Sequence, residues 1–165
     1  MPEPAVSADE LRDTVDYVAI TRLHHDYADI VTRRAWAELA ELFRPDAPVR
    51  VDTVTSAPID LTGPQQVGDF IGGAVERFEF FEFVPLSARV ALRVDGDPDR
   101  ANGRLYICEL RQDAANGAAS QAFGLYQDEY RRVDGRWWYA RRDYQSLART
   151  GRGEVLPFPQ ERFRL

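Results

Sequence analysis

Apolar residues recur along the first part of the chain at a helical step. Val15, Ile20, Leu23, Tyr27 and Val31 follow one another at three- to five-residue intervals. They form one apolar stripe, which predicts an amphipathic helix over 8–33. Ser7 and Glu10 stand ahead of it in the S-x-x-E arrangement of a capping box. The short segment "AWAELAELF" predicts a second helix, with Trp36, Leu39, Leu42 and Phe43 as its buried face and Pro45 as its stop. "APVRVDTV" alternates and is rich in β-branched residues, so it predicts a strand. "SAPIDLTGP" reads as a loop. Thr62 then caps a third helix, "PQQVGDFIGGAVERF", with Pro64 in its first turn. Gly72 and Gly73 either weaken that helix or let a neighbouring element come close.

From residue 79 the period changes from helical to extended. "FEFFEFVPLSARVALRVDGD" is strand-like and runs into a turn at "DGDPDR". "ANGRLYICELRQD" alternates, and "AANGAAS" is a small-residue loop. "QAFGLYQDEYRRVDGRWWYARRDYQSL" reads as two strands joined by a tight turn at Asp134-Gly135. The tail from about residue 149 is irregular and carries Phe158 and Phe163. There is no internal repeat or linker, so residues 1–165 are expected to form one domain. Helices followed by a run of antiparallel strands predict an α+β fold, with the helices on one side of a curved sheet. If that sheet curls, its concave side and the long helix enclose a cavity.

Composition narrows the partners. The net charge is −6 over 165 residues, whereas a nucleic-acid surface needs clustered positive charge. The close arginines of "RRVDGR" and "ARRD" are expected on solvated outer strand faces. The single cysteine, Cys108, excludes an intrachain disulfide and a cysteine metal cluster. The acidic N-terminus lacks a signal pattern, and no apolar run approaches the roughly 18 residues of a membrane span. A cytoplasmic protein without nucleic-acid or membrane partners is expected.

Three pieces of the chain together resemble the NTF2-like superfamily, in its SnoaL-like and scytalone-dehydratase-like branch. "ITRLHHDYADIVTRRAWAELAELFRPDAPV" is similar to that family's opening helix pair and first strand. "VDGDPDRANGRLYICEL" is similar to its central hairpin, and "GLYQDEYRRVDGRWWYARRDY" to its closing hairpin. The resemblance spans about residues 14 to 145. It implies an α+β cone, three N-terminal helices packed on a strongly curved antiparallel sheet around a deep apolar pocket. It also implies a homo-oligomer, dimer or trimer, a small-molecule ligand and no cofactor. Members include dehydratases, isomerases and cyclases as well as proteins that only bind or assemble, so the residues must decide the function.

Related dehydratases use a tyrosine and an aspartate on the first helix and a histidine on a central strand. Tyr27 matches the tyrosine. Thr32 stands at the aspartate position and is assigned to ligand contact, Ala35 replaces a second acid, and residues 84–89 hold no histidine. Alternation puts Leu105, Ile107, Glu109 and Arg111 on one strand face, with Cys108 on the other. Glu109 is the closest match to the polar catalytic group of this strand. A carboxylate in an apolar pocket can serve as acid or base near neutral pH; the alternative is a structural ion pair. Arg111 either holds a substrate oxyanion or pairs with a carboxylate.

Gly124, Tyr126, Asp128 and Tyr130 share a face. By resemblance Gly124 leaves room for ligand, and Tyr126 donates a hydrogen bond or is a core tyrosine. Asp128 is expected to pair with an arginine. Trp137, Trp138 and Tyr139 read as core and cavity wall, with Trp138 assigned to the ligand. At about 100° per residue His24 and His25 cannot face one site. His24 lies beside Tyr27, as a pocket residue or a packed one, while His25 points outward with Asp26 and Asp29. No metal site is expected. The expected function is a lyase, isomerase or cyclase using Tyr27, Glu109 and His24 for acid–base chemistry on an apolar oxygenated molecule. The alternatives are a non-catalytic binding or assembly protein of the same fold, or the small subunit of a multi-component oxygenase.

Overall fold

The helix expected over 8–33 is α1, Ala8–Arg33. Its capping box forms: the Glu10 N–H donates to Ser7 Oγ at 3.2 Å and the Ser7 N–H donates to Glu10 Oε2 at 2.8 Å. The computed structural model describes residues 6–151 and 154–158, so Phe163 lies outside the described residues. Four residues of the expected stripe, Ile20, Leu23, Tyr27 and Val31, are buried, but Val15 is 66% exposed. Its neighbour Asp16 turns inward instead, where its carboxylate accepts from Trp137 Nε1 at 2.9 Å and Arg132 Nη1 at 2.7 Å.

The second helix is a short 3₁₀ turn, Trp36–Glu41. It leads to β1 (Pro48–Asp52) and then β2 (Ile59–Thr62), a strand in the stretch read as a loop. β2 has only four residues and exists because β1 pairs with it, Val49 opposite Leu61. α2 (Gly63–Val75) follows. Thr62 caps it without a side-chain bond, and the Gln66 amide oxygen instead accepts from the Thr62 N–H at 2.9 Å. Gly72 lets Trp36 come close: a Cβ there would sit 3.2 Å from the indole nitrogen.

Four long strands make the body of the sheet: β3 (Phe78–Leu92), β4 (Arg100–Asp113), β5 (Ala119–Val133) and β6 (Arg136–Gly151). The last runs past residue 149, and β7 (Glu154–Pro157) folds back on it, so part of the tail is strand. Strand order is β2-β1-β6-β5-β4-β3, with β7 added beside β6. All these pairs are antiparallel except β1 with β6, which makes the sheet mixed. The β5–β6 turn holds Asp134 and Gly135 at φ 51° and 77°, the left-handed pair a two-residue hairpin needs.

Bulges bend the sheet. Tyr130 pairs with Tyr139 and Glu129 with Arg141, which leaves Ala140 as an extra residue; Phe123 pairs with Ala148 and Gly124 with Ser146, which leaves Leu147 as another. Each extra residue kinks the strand and exchanges its two faces. α1 closes the concave side, packed on β3 and β6.

Candidate functional site

Concave-facing side chains from every layer meet in a cavity of about 230 Å³. α1 supplies Tyr27 and Val31, and α2 supplies Val67, Phe70 and Ile71. β3 adds Phe78, Phe81 and Phe83. Most of the polar groups come from the later strands: Glu109 and Arg111 from β4, Tyr126 from β5, and Arg142, Tyr144, Ser146 and Arg149 from β6, while Thr53 after β1 and Arg77 before β3 add to them. An apolar wall with a few convergent polar groups is the usual form of a small-molecule site.

Arg142 forms the floor. Its side chain is 1% exposed, and the bulge at Ala140 is what turns it inward. Strict alternation from Trp137 and Tyr139 would place Arg141 inside and Arg142 outside, and this is why the expectation of outer-face arginines fails at Arg142. The guanidinium lies 4.0–4.3 Å from the ring centres of Tyr139, Tyr126 and Tyr27. Arg142 Nε donates to Asp128 Oδ1 at 2.7 Å and Nη2 to Oδ2 at 2.8 Å, a bidentate pair in which Asp128 is fully buried. Nη1 is buried with no acceptor. Asp128 therefore has the arginine partner expected of it.

The floor is held from behind by a hydrogen-bond chain. Tyr130 donates to Asp128 Oδ2 at 3.0 Å. A phenol has one proton to give, so the His24 Nε2–H donates to the Tyr130 oxygen, at 2.7 Å. His24 is thus a packed histidine behind the cavity and does not line it. Burial pushes its imidazole down to about 4, with the Asp128 carboxylate pulling the other way, so it is neutral at pH 7. His25, Asp26 and Asp29 are exposed, as expected.

Tyr27 and Tyr126 reach the cavity with their hydroxyl oxygens 3.5 Å apart. Burial pushes both phenols up, and the Glu109 charge adds to this. They stay protonated at neutral pH and can donate. Glu109 and Arg111 share the concave face of β4 and form an ion pair, with Arg111 Nε and Nη2 both donating to Glu109 Oε2. Their side chains are 17% and 15% exposed.

Besides His24, three assigned residues do not line the cavity. Thr32 uses its hydroxyl to accept the Phe83 N–H at 3.0 Å, which ties α1 to β3. Gly124 makes room for a side chain and not for a ligand: a Cβ there would lie 2.3 Å from Tyr144 Cε2. Trp138 takes the opposite face from Trp137 and Tyr139, and Arg136 stacks on its ring at 4.4 Å. Sequence reading also missed Arg142, Tyr144 and Arg149, all on β6 and all oriented by its bulges. Among the described residues no group of three or more His, Cys, Asp or Glu could hold a metal ion, and no helix is long and apolar enough to cross a membrane.

Comparisons with known proteins agree with this architecture. A protein from Novosphingobium aromaticivorans provisionally named a scytalone dehydratase superposes with a TM-score of 0.73 at 21% identity, over 93% of this chain and 98% of that one. LinA gives 0.73 at 19% identity, over 90% and 93%. The hexachlorocyclohexane dehydrochlorinase LinA-type3 from Novosphingobium barchaimii gives 0.71 at 21%, over 90% and 94%. At these identities the likeness shows the fold alone, an NTF2-like cone. No curated protein matches the chain. The family model described as a SnoaL-like domain matches residues 12–143, and with most of its length covered the chain belongs to the SnoaL-like family.

Proposed function

We propose that the protein is a lyase or isomerase that moves a proton on a small, apolar, oxygenated molecule. The observation that carries this reading is the convergence of one carboxylate, Glu109, and three donors, Tyr27, Tyr126 and Arg142, on one apolar cavity. The ring body of the substrate lies among Phe70, Phe81, Phe83 and Val67 and displaces water. Its carbonyl oxygen takes hydrogen bonds from the floor, where Arg142 Nη1 lacks an acceptor. Arg111 occupies Oε2 of Glu109, which leaves Oε1 to take a proton from the carbon beside that carbonyl. The enolate charge then develops against donors already in place, which is where fixed dipoles lower a barrier most. In an unsaturated ketone the proton returns at the γ carbon of the dienolate in an isomerisation, or a leaving group departs with its electron pair from the β carbon in an elimination. The structural neighbours named for dehydration and dehydrochlorination are consistent with chemistry of this kind.

The test is solvent exchange. In deuterated buffer the protein is expected to speed incorporation of deuterium beside the carbonyl of 2-tetralone, followed by proton NMR. Glu109→Gln should lower that rate by roughly 10²–10⁴-fold, the usual worth of a general base. Exchange at the buffer rate overturns the reading. A second reading, a binding protein without turnover, is favoured by two observations: neither histidine lines the cavity, and Glu109 is already paired with Arg111. It predicts saturable 2-tetralone binding with no exchange.

A further inference from the structure

The cavity is much more cationic than the protein around it. Among the described residues four arginines line it, Arg77, Arg111, Arg142 and Arg149, against one acid, Glu109, in a chain whose net charge is −6. Two of the four are neutralised, Arg142 by Asp128 and Arg111 by Glu109. Arg77 and Arg149 have no carboxylate partner among the described residues. Arg77 is exposed and Arg149 half-buried, so both stand toward the open end, while Tyr27, Tyr126 and Arg142 are buried at the floor. Arg149 faces inward because of the bulge at Leu147, and its Nε is buried with no acceptor. A buried donor left unpaired calls for a missing partner.

The open-end cations are also held in place by aromatic rings. Arg77 lies 4.7 Å and Arg111 5.4 Å from the Phe78 ring centre, and Arg149 lies 5.8 Å from that of Phe158. Stacking leaves the guanidinium edges free for an anion. The floor is different, since Asp128 already balances Arg142. A full negative charge there would face a compensated pair, whereas a neutral oxygen needs only the spare N–H and the phenols.

We infer that the cavity takes an apolar ring compound bearing two oxygen functions: a carboxylate on Arg149 and Arg77 at the mouth, and a neutral carbonyl or hydroxyl at the floor. The floor contact rests on the function proposed above; the mouth contact does not. An unpaired cationic rim on an acidic protein also focuses anions toward the opening.

Calorimetric titration with three probes of one shape tests this: 2-naphthoate, 2-naphthamide and 2-naphthylmethylammonium. The carboxylate is expected to bind at least about tenfold tighter than the amide and the ammonium most weakly, with the gap narrowing at high salt as screening grows. Arg77→Gln should narrow the gap, and Arg77→Gln with Arg149→Gln should close it. Glu109→Gln removes the negative charge among the described lining residues, so it should tighten 2-naphthoate by a few-fold while it slows 2-tetralone exchange by the factor given above. The two readings can thus fail separately. Equal binding of carboxylate and amide overturns the inference, as does a gap that survives the double substitution, which would seat the anion on the floor. Failure of all three probes to bind overturns it too.

Discussion

Two arginine–carboxylate pairs face the same cavity and differ in every physical respect that matters. Arg142 and Asp128 are 1% and 0% exposed, are joined through both carboxylate oxygens, and have a tyrosine and a histidine behind them. Arg111 and Glu109 are 15% and 17% exposed and meet on a single oxygen. The first pair is a fixed part: each of its charges depends on the other, and the chain through Tyr130 to His24 fixes its orientation. The second is reached by water and meets on one oxygen, so it is less tightly held and leaves the other carboxylate oxygen outside the pair. One chemical motif therefore builds a preset donor at the floor and, in the proposed function, an adjustable base beside it, and the difference comes from burial and the number of bonds.

The sharpest way to break this comparison is at Asp128. Asp128→Asn keeps the shape and removes the charge that balances a fully buried guanidinium. Breaking a buried pair from one side costs about 3–5 kcal/mol, so urea unfolding should show a loss of that size or no folded protein at all. A loss below about 1 kcal/mol would mean that the floor is no more fixed than the mouth.

The chain behind the floor gives the next effect. Burial holds the His24 imidazole at about 4, with Asp128 opposing and Arg142 pushing it further down, against an ordinary value of 6.5. The unfolded chain takes this proton near pH 6.5 and the native protein does not until near pH 4. Stability is therefore undiminished above pH 6.5 and falls as pH drops through that window, by roughly 3 kcal/mol in total. His24→Gln should remove this part of the slope, so the stability difference between wild type and variant should shift by that amount between pH 7 and pH 4. Parallel curves would mean that the imidazole is not held neutral.

Much of this architecture is legible in the residues. Ser7 with Glu10, the apolar stripe from Ile20 to Val31, and Asp134-Gly135 each announce their element, because caps, helical period and left-handed turns are local. Alternation alone puts Glu109 and Arg111 on one face, and the helical step gives the outward set of His25, Asp26 and Asp29. What stayed hidden depends on register. A bulge at Ala140 carries Arg142 inside, and one at Leu147 does the same for Arg149; nothing in "WYARRDYQSLAR" marks where a strand gains a residue. Gly124 reads as room for a ligand, and nothing in the sequence shows that the Tyr144 ring fills that space. β2 and β7, four residues each, exist through pairing with neighbours and have too little pattern of their own.

Gly124 lies between the two pairs and gives an intermediate effect. An added Cβ would meet the Tyr144 ring at 2.3 Å, and that ring lines the cavity. Gly124→Ala must displace it, at the about 1–3 kcal/mol typical of overpacking. Thermal unfolding should register the loss, and 2-naphthoate should bind more weakly as the ring moves into its space. Unchanged affinity would mean that Tyr144 has another place to go.

Arg111→Gln should have the smallest effect on stability, and it is the matched counterpart of Asp128→Asn. It too removes one charge from an arginine–carboxylate pair in the same cavity. Here, though, water reaches both partners and Glu109 can be solvated when its cation is lost. The expected cost is about 1 kcal/mol, the upper end of the range for ion pairs that water reaches, as measured by the same urea titration. The variant should remain folded and still bind 2-tetralone, since Arg142, Tyr27 and Tyr126 are untouched. A loss as large as that of Asp128→Asn would make the two pairs equivalent. Glu109 would then be a structural carboxylate, unable to leave its partner for a substrate proton.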